Sequence, residues 1–303
     1  MSFFNLLSRT VRKLFVIDKW NIGYVYQSAE NLIKSGEISE KVHWLKEHSA
    51  DYATDPFVAV INNKLCLYYE ELDFWSAKGR IMVTEELNFE KKRTVKGLPN
   101  GKIHLSYPYI FNHSGVIYCI PETAAAKEVA LYRIDSDSID HFIKIRVLIK
   151  GEAFVDSSLL FYKNKYWLFT SKAGTNNELF IFYAETLDAP FHAHSMNPIS
   201  VPDYIGRSAG NFFMVKQKLY RPSQNPQKNY GGSVIISEII SLDESIFSFI
   251  PVTEINPLHS YPRGLHTLNF TGDMMIIDGK RPVFSLLSPL KKLVKKTANL
   301  KIS

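Results

Sequence analysis

The chain has 303 residues, 46% of them hydrophobic and 13% aromatic, with 36 Lys and Arg against 30 Asp and Glu. An apolar fraction of this size supports a large core and excludes a disordered chain. The net charge of +6 is unevenly placed: residues 1–20 carry +3 and residues 280–303 carry +7, which leaves the middle at about −4. Basicity therefore belongs to the termini, and with no aromatic-interleaved RNA motif and no zinc spacing, no nucleic-acid partner is expected.

Residues 1–20 do not read as a signal peptide. Phe3, Phe4, Leu7, Val11, Leu14 and Phe15 share one helical face, so this segment is expected to be amphipathic. Asn21 to Tyr26 reads as a strand, expected to pair with the last sheet of the chain. Ala29 to Glu37 reads as a short helix or loop, and His43-Trp44-Leu45 as the lead into the first of several similar units.

Those units begin at Asp55. Asp55 to Ile61, Asn62-Asn63-Lys64 and Leu65 to Glu70 form an apolar run, a turn and a second apolar run. The outline returns in Ser106 to Glu122, in Asp156 to Phe169, in Gly210 to Arg221 and in Leu265 to Ile277. Aligned on their turns, Asp55, Tyr107, Asp156 and Ala209 take the same place, at steps of 52, 49 and 53 residues. Third strands are expected at Arg80 to Thr84, Glu128 to Ile134, Glu178 to Ala184 and Ser233 to Ile240. One such sheet cannot bury both of its apolar faces, so copies must pack on each other. The sequence predicts an all-β, five-bladed propeller over residues 21–285, with a basic amphipathic tail at 286–303. Cys66 and Cys119 fall on second strands among apolar neighbours and read as reduced, buried residues.

In a propeller the first residues of the innermost strands converge on the central channel. Asp55 and Asp156 then become neighbours, and paired carboxylates are the raw material of acid–base work on sugars. Glu122, with Glu70 as its equivalent, reaches the same face. Asp55, Asp156 and Glu122 are the expected catalytic residues; Arg207, Arg221, Gln224, His266 and Tyr107 are the expected substrate-binding ones. Asp135-Ser136-Asp137 has an Asp-x-Asp form but reads as ordinary loop, and neither a metal nor another cofactor is expected.

Taken in order, several of these motifs resemble the N-terminal domain of glucosamine inositolphosphorylceramide transferases. They are Asp55-Pro56-Phe57, Ser106-Tyr107-Pro108, Ile120-Pro121-Glu122, Val155-Asp156-Ser157, Arg207-Ser208-Ala209-Gly210, Tyr220-Arg221-Pro222-Ser223-Gln224, Tyr230-Gly231-Gly232 and Gly264-Leu265-His266-Thr267. The likeness covers about residues 20 to 285. That domain is in turn similar to five-bladed glycosidases of the arabinanase, xylosidase and invertase type. The resemblance implies an aspartate base or nucleophile at Asp55 and a pKa-tuning aspartate at Asp156. It also implies a general-acid glutamate at the start of blade four, where this chain has Arg207-Ser208-Ala209-Gly210.

The leading expectation is therefore a carbohydrate-recognising propeller of surface-glycan or glycolipid biosynthesis, acting as or with a glycosyltransferase. It would work in the cytoplasm or peripherally on the inner membrane face, with a saccharide or glycolipid substrate and a partner glycosyltransferase. Two alternatives stand beside it: a glycoside hydrolase or transglycosidase using Asp55 and Asp156 with Glu122 as acid, and a non-catalytic scaffold. The tail from Leu286 to Ser303 sets Leu290, Leu293 and Val294 among Lys291, Lys292, Lys295 and Lys296, and is expected to touch an anionic membrane surface.

Overall fold

In the computed structural model, residues 14–47, 52–73, 78–99 and 101–299 are described. They form five antiparallel sheets arranged as a five-bladed β-propeller with two α-helices. Blade one runs through Ala53–Ile61, Lys64–Asp73, Lys78–Glu85 and Arg93–Thr94. Blade two is Ser106–His113, Val116–Glu122, Glu128–Ile134 and Phe142–Lys150. Blade three is Phe154–Tyr162, Lys165–Lys172 and Glu178–Ala184, with two short outer pieces, His192–Ala193 and Ile199–Ser200. Blade four is Phe213–Val215, Lys218–Asn225, Ser233–Leu242 and Phe247–Ile255.

Blade five closes the ring from both ends of the chain. Its inner strands are Leu268–Thr271 and Met274–Phe284, and its third strand is the N-terminal Val16–Val25. The pairing of this strand with the last blade matches the expectation. It starts at Val16 rather than Asn21, inside the stretch read as an amphipathic N-terminal segment. His43–Trp44 is the fourth strand of this closing blade, paired to Gly23 and Tyr24, and does not lead into blade one. Trp44 stays there because its ring lies 3.8 Å from that of Tyr261 and its indole N–H donates to Ser260. Phe3, Phe4, Leu7 and Val11 lie outside the described residues.

Local chemistry explains the repeated hairpin. In four blades the turn between the first two strands takes two consecutive residues with positive φ: Asn62-Asn63, Ser114-Gly115, Lys163-Asn164 and Lys216-Gln217. That is the backbone twist a tight two-residue hairpin needs, and it explains the Asn and Gly at several of these places. Between blades the apolar faces meet. One buried cluster joins Phe57, Tyr68, Tyr107, Tyr109, Ile120 and Tyr132 of blades one and two with Leu159 and Leu168 of blade three. Others join blades three and four around Trp167 and Phe169, blades four and five around Val234 and Ile277, and blades five and one around Ile22, Leu67 and Tyr69. Cys66 and Cys119 are buried and free, as expected, and burial raises both thiols.

The first helix, Ala29–Ser35, is capped by the Ser28 hydroxyl and ends at Gly36 in the left-handed conformation. Its Leu32 is fully buried against blades four and five. The C-terminal helix, Ser288–Asn299, departs from the expected pattern. Leu290 and Leu293 are exposed, whereas Lys291 is buried and the Lys292 ammonium donates to the backbone carbonyl of Val16 at 2.7 Å. Two of the four lysines thus turn towards the propeller. Among the described residues, no helix is long and apolar enough to cross a membrane.

Candidate functional site at the propeller axis

Each of the first three blades begins with a distorted residue at the same place. Asp55, Tyr107 and Asp156 have φ of 50°, 41° and 50°, and each sits where its strand slips register against the second strand. A bulge of this kind re-aims the side chain out of the pleat, here towards the ring axis. Ala209 does not share the conformation. In blade four the positive φ falls on the next residue, Gly210, and the inner strand starts only at Phe213. Gly210 is needed there, because a Cβ would lie 2.0 Å from the Leu268 carbonyl oxygen.

A second ring lies on the second strands. Glu70, Glu122, Ser171, Gln224 and Lys280 are each the seventh residue of their strand, one per blade. Their partners differ. Glu70 lies 3.5 Å from His104, and Glu122 accepts from the Asp156 backbone N–H at 3.3 Å. Ser171 donates to the Gly206 carbonyl at 3.0 Å, while Gln224 donates to Asp156 and to the Ser208 carbonyl, each at 2.9 Å. Lys280 donates to the Asn229 side chain and the Tyr230 carbonyl.

The two rings bring most of the predicted residues together. Asp55 accepts from the Thr267 hydroxyl at 2.7 Å and the Tyr107 backbone N–H at 3.3 Å, and His266 Nε2 stands 3.6 Å away. Asp156 is paired with Arg207, whose Nε donates at 2.6 Å. Tyr107 is fully buried. Its hydroxyl lies 3.0 Å from Ser158 and accepts from the Gly210 N–H at 2.7 Å, tying blades two, three and four together. Arg221 is buried too. Its guanidinium donates to the Ile205 and Gly206 carbonyls at 2.8 and 2.6 Å and to Ser223 and Ser208, so it shapes the loop that carries Arg207.

One central acid was not singled out by the sequence reading. Asp278 is fully buried and collects the Thr54 hydroxyl at 2.8 Å and the backbone N–H groups of His266, Thr267 and Asp55 at 2.9, 3.1 and 3.3 Å. His266 Nδ1 lies 2.6 Å from it. The signal was an aspartate inside the apolar strand run Met275-Ile276-Ile277, where an ionisable group has no place without partners.

Five carboxylates share this region with two cations, and they cannot all ionise. Burial, reinforced by Asp278 and Asp156 and moderated by His266, pushes Asp55 up to about 6. Burial and the Asp156 charge, against Arg207, push Glu122 up to about 8. Burial, with Asp55 and Glu122 close by, raises Glu70 as well. Burial opposes charge on His266, yet Asp278 and Asp55 together raise it above an ordinary histidine. Burial alone would raise Asp278, but His266 and four donors bring it below the usual range. The centre thus holds a fixed Asp278–His266 pair beside carboxyls that keep protons near neutral pH. Asp55, His266 and Asp278 also lie close enough to offer one ligand atom each to a cation.

Aromatic rings border the acids. Trp20 stacks on His266 at 4.1 Å, Tyr230 meets the same ring edge-on at 5.6 Å, and Tyr52 meets Trp20 at 6.2 Å. Gly231, at φ 62°, makes this packing possible, since a Cβ there would fall 2.6 Å from the Trp20 ring. Tyr230 is half exposed, and the Arg207 guanidinium lies 5.8 Å over its ring. Raised carboxyls, an arginine and the half-exposed Tyr230 ring together suit a polyhydroxylated ring.

In solved structures the same fold recurs at low identity. The catalytic domain of a family-62 α-L-arabinofuranosidase from Coprinopsis cinerea matches with a TM-score of 0.58 and 12% identity, over 75% of this chain and 81% of that one. An α-L-arabinofuranosidase from Podospora anserina matches with a TM-score of 0.54 and 10% identity, over 72% and 76%. A thermostable family-43 glycoside hydrolase matches with a TM-score of 0.52 and 14% identity, over 70% and 81%. At these identities the likeness is one of fold.

Among curated proteins, glucosamine inositolphosphorylceramide transferase 1 of Oryza sativa subsp. japonica is 30% identical over 213 residues, 68% of this chain and 28% of that protein. Its counterpart in Arabidopsis thaliana is 28% identical over 211 residues, 67% of this chain and 27% of that protein. The chain thus spans less than a third of the length of these relatives. The profile of one family matches residues 29–260, a narrower span than the motifs suggested, which stops short of His266 and Asp278. By that match the chain belongs to the family described as glucosamine inositolphosphorylceramide transferase 1, N-terminal.

Proposed function

We propose that this chain is the saccharide-recognising unit of a glycosyl-transfer system directed at a glycolipid, acting at a membrane face with a partner glycosyltransferase. The observation that carries this is the convergence of Asp55, Glu122, Asp156 and Arg207 beside the exposed ring of Tyr230. The names of the curated relatives supply the glycolipid setting. Arg207 stands where the glycosidase-like pattern calls for a proton donor, and its pairing with Asp156 makes it a charge-holding group rather than an acid. Arg221 belongs with the supports of this site, and Tyr107 with its floor.

The test is a saccharide-binding screen by calorimetry, with the full chain and its Asp55→Asn variant. Loss of one charged acceptor is expected to weaken binding roughly 10- to 150-fold, from about 1.5–3 kcal/mol per charged hydrogen bond. Hydrolysis of aryl furanosides and xylosides is expected to be weak or absent, because a missing general acid forfeits about 100- to 10,000-fold. Ordinary glycosidase turnover, lost in Asp55→Asn, would instead favour group transfer to water.

A second reading has its own support. Glu122 near 8 and Asp55 near 6 form a pair pushed apart by their surroundings, the arrangement that lets one carboxyl donate a proton while the other accepts one. In that reading Glu122 supplies from blade two the acid that blade four lacks. Its mark would be a turnover that falls as pH rises through about 8 and loses that limb in Glu122→Gln.

A further inference from the structure

The C-terminal helix is turned the opposite way from a soluble surface helix, which sets its apolar side inward. Ser288 and Lys291 are buried, whereas Leu290 and Leu293 are exposed. With Leu14, Phe284, Leu286 and Leu287 they form a group of apolar side chains that are 44–75% exposed. Such a group on a folded chain marks a contact surface.

Ring closure brings the other end of the chain to the same place. The Ser285 N–H donates to the Phe15 carbonyl at 2.8 Å, and the Phe15 and Phe284 rings lie 5.7 Å apart. The Lys292 ammonium donates to the carbonyls of Val16 and Leu14 at 2.7 and 3.5 Å. Residues 1–20 and 280–303 carry +3 and +7, against about −4 for the rest of the chain. The strand ends that carry the two basic segments therefore meet at one corner of blade five. Asp18 and Glu47, which pairs with Lys19 and Arg281 at 3.0 and 2.9 Å, offset only part of this charge.

Charge and chemistry select the occupant. A second copy would set like charge against like, and a nucleic-acid backbone offers leucines nothing to bury against. A bilayer with anionic headgroups meets both features at once, since acyl chains receive the leucines and headgroups answer the cations. We infer that this corner docks the protein on an anionic lipid bilayer, with Phe284, Leu286, Leu287 and Leu290 entering the headgroup boundary. The helix has 12 residues, about 18 Å, and lies on such a surface rather than crossing its ~30 Å core. One cleft is lined both by Trp20 and Tyr230 of the candidate site and by Phe284, Lys291 and Lys292 of this corner. Docking would thus turn the candidate site to the bilayer; that consequence rests on the proposed function, whereas the docking itself does not.

The experiment is co-sedimentation of the full chain with vesicles of phosphatidylcholine alone and of phosphatidylcholine with phosphatidylglycerol. Binding to the anionic vesicles should be at least about tenfold the stronger, and should fade towards 1 M salt, where the Debye length is about 3 Å. Leu286→Asp and Leu290→Asp should each weaken it about tenfold at an unchanged melting temperature, since both side chains are exposed. Lys295→Glu combined with Lys296→Glu should weaken it about tenfold or more, while Lys150→Glu, at an exposed lysine of blade two, should not. Asp55→Asn should sediment like the parent chain whatever the saccharide screen returns, which separates the two readings. Equal binding to both vesicle types, no binding to either, or binding that both leucine variants retain would overturn the inference. So would a dimer in analytical ultracentrifugation that Leu290→Asp dissolves, because the corner would then be an interface between copies.

Discussion

Asp278→Ala is expected to destabilise the propeller by about 3–5 kcal/mol, the usual cost of removing one partner from a buried ion pair. The effect is large because Asp278 serves two distant parts of the chain at once. It receives the Thr54 hydroxyl and Asp55 N–H of blade one and the His266 and Thr267 N–H groups at the start of blade five. Without it, the His266 imidazolium keeps only Asp55, 3.6 Å away, and buried N–H groups lose their acceptor. At roughly 2–4 °C per kcal/mol for a chain approaching this size, the melting temperature should fall by about 10 °C. Thermal unfolding of the two proteins at neutral pH is the measurement. A difference below about 1 kcal/mol, within reach of an ordinary surface change, would mean that blades five and one are joined by their apolar contacts alone.

Stability is expected to fall as pH rises from about 5 to about 8, opposite to a protein held by ordinary carboxylate pairs. Glu122 is raised in the folded state from the ordinary 4.5 to about 8, and Asp55 from 3.8 to about 6. Between those limits the folded chain binds more protons than the unfolded chain, so each added unit of pH favours unfolding. The slope cannot exceed about 1.4 kcal/mol per pH unit for one group. His266, also raised, acts in the same direction: its contribution is complete below the ordinary histidine value and is lost as pH climbs through the folded one. Asp278, lowered, acts the other way, contributing above the ordinary aspartate value and losing that as pH falls through its folded one. By these groups the optimum should therefore lie below pH 5, where Asp278 begins to lose what the raised groups gain. Denaturant unfolding at pH values on either side of that window would show it, and Glu122→Gln should flatten the alkaline slope. A wild-type slope that Glu122→Gln leaves intact would assign the proton to Glu70, the other raised acid.

Much of the architecture was legible in the chain itself, because its causes are local. A hairpin needs a turn with two positive-φ residues between alternating or aromatic runs, and Asn62-Asn63, Ser114-Gly115 and Lys163-Asn164 declare such turns wherever they occur. Their spacing of about fifty residues sets the blades, and the repeat places Asp55 and Asp156 in one register before any contact is known. Even ring closure by the N-terminal strand follows from a blade that would otherwise lack a third strand.

Tertiary structure decided how those equivalent positions differ. Glu70, Glu122, Ser171, Gln224 and Lys280 occupy one place in five blades, yet the two acids are pushed towards keeping their protons, the amide serves Asp156 and the lysine donates to neutral oxygens. These outcomes depend on partners far off in the chain, from 34 residues for Glu122 with Asp156 to 224 for Thr54 with Asp278. The same holds for Arg221 and Tyr107, whose polar groups turned out to be committed to backbone. Strand and turn are set by neighbours in sequence. Charge state is set by burial and by whichever groups ring closure brings within a few ångströms, and no local pattern carries that information.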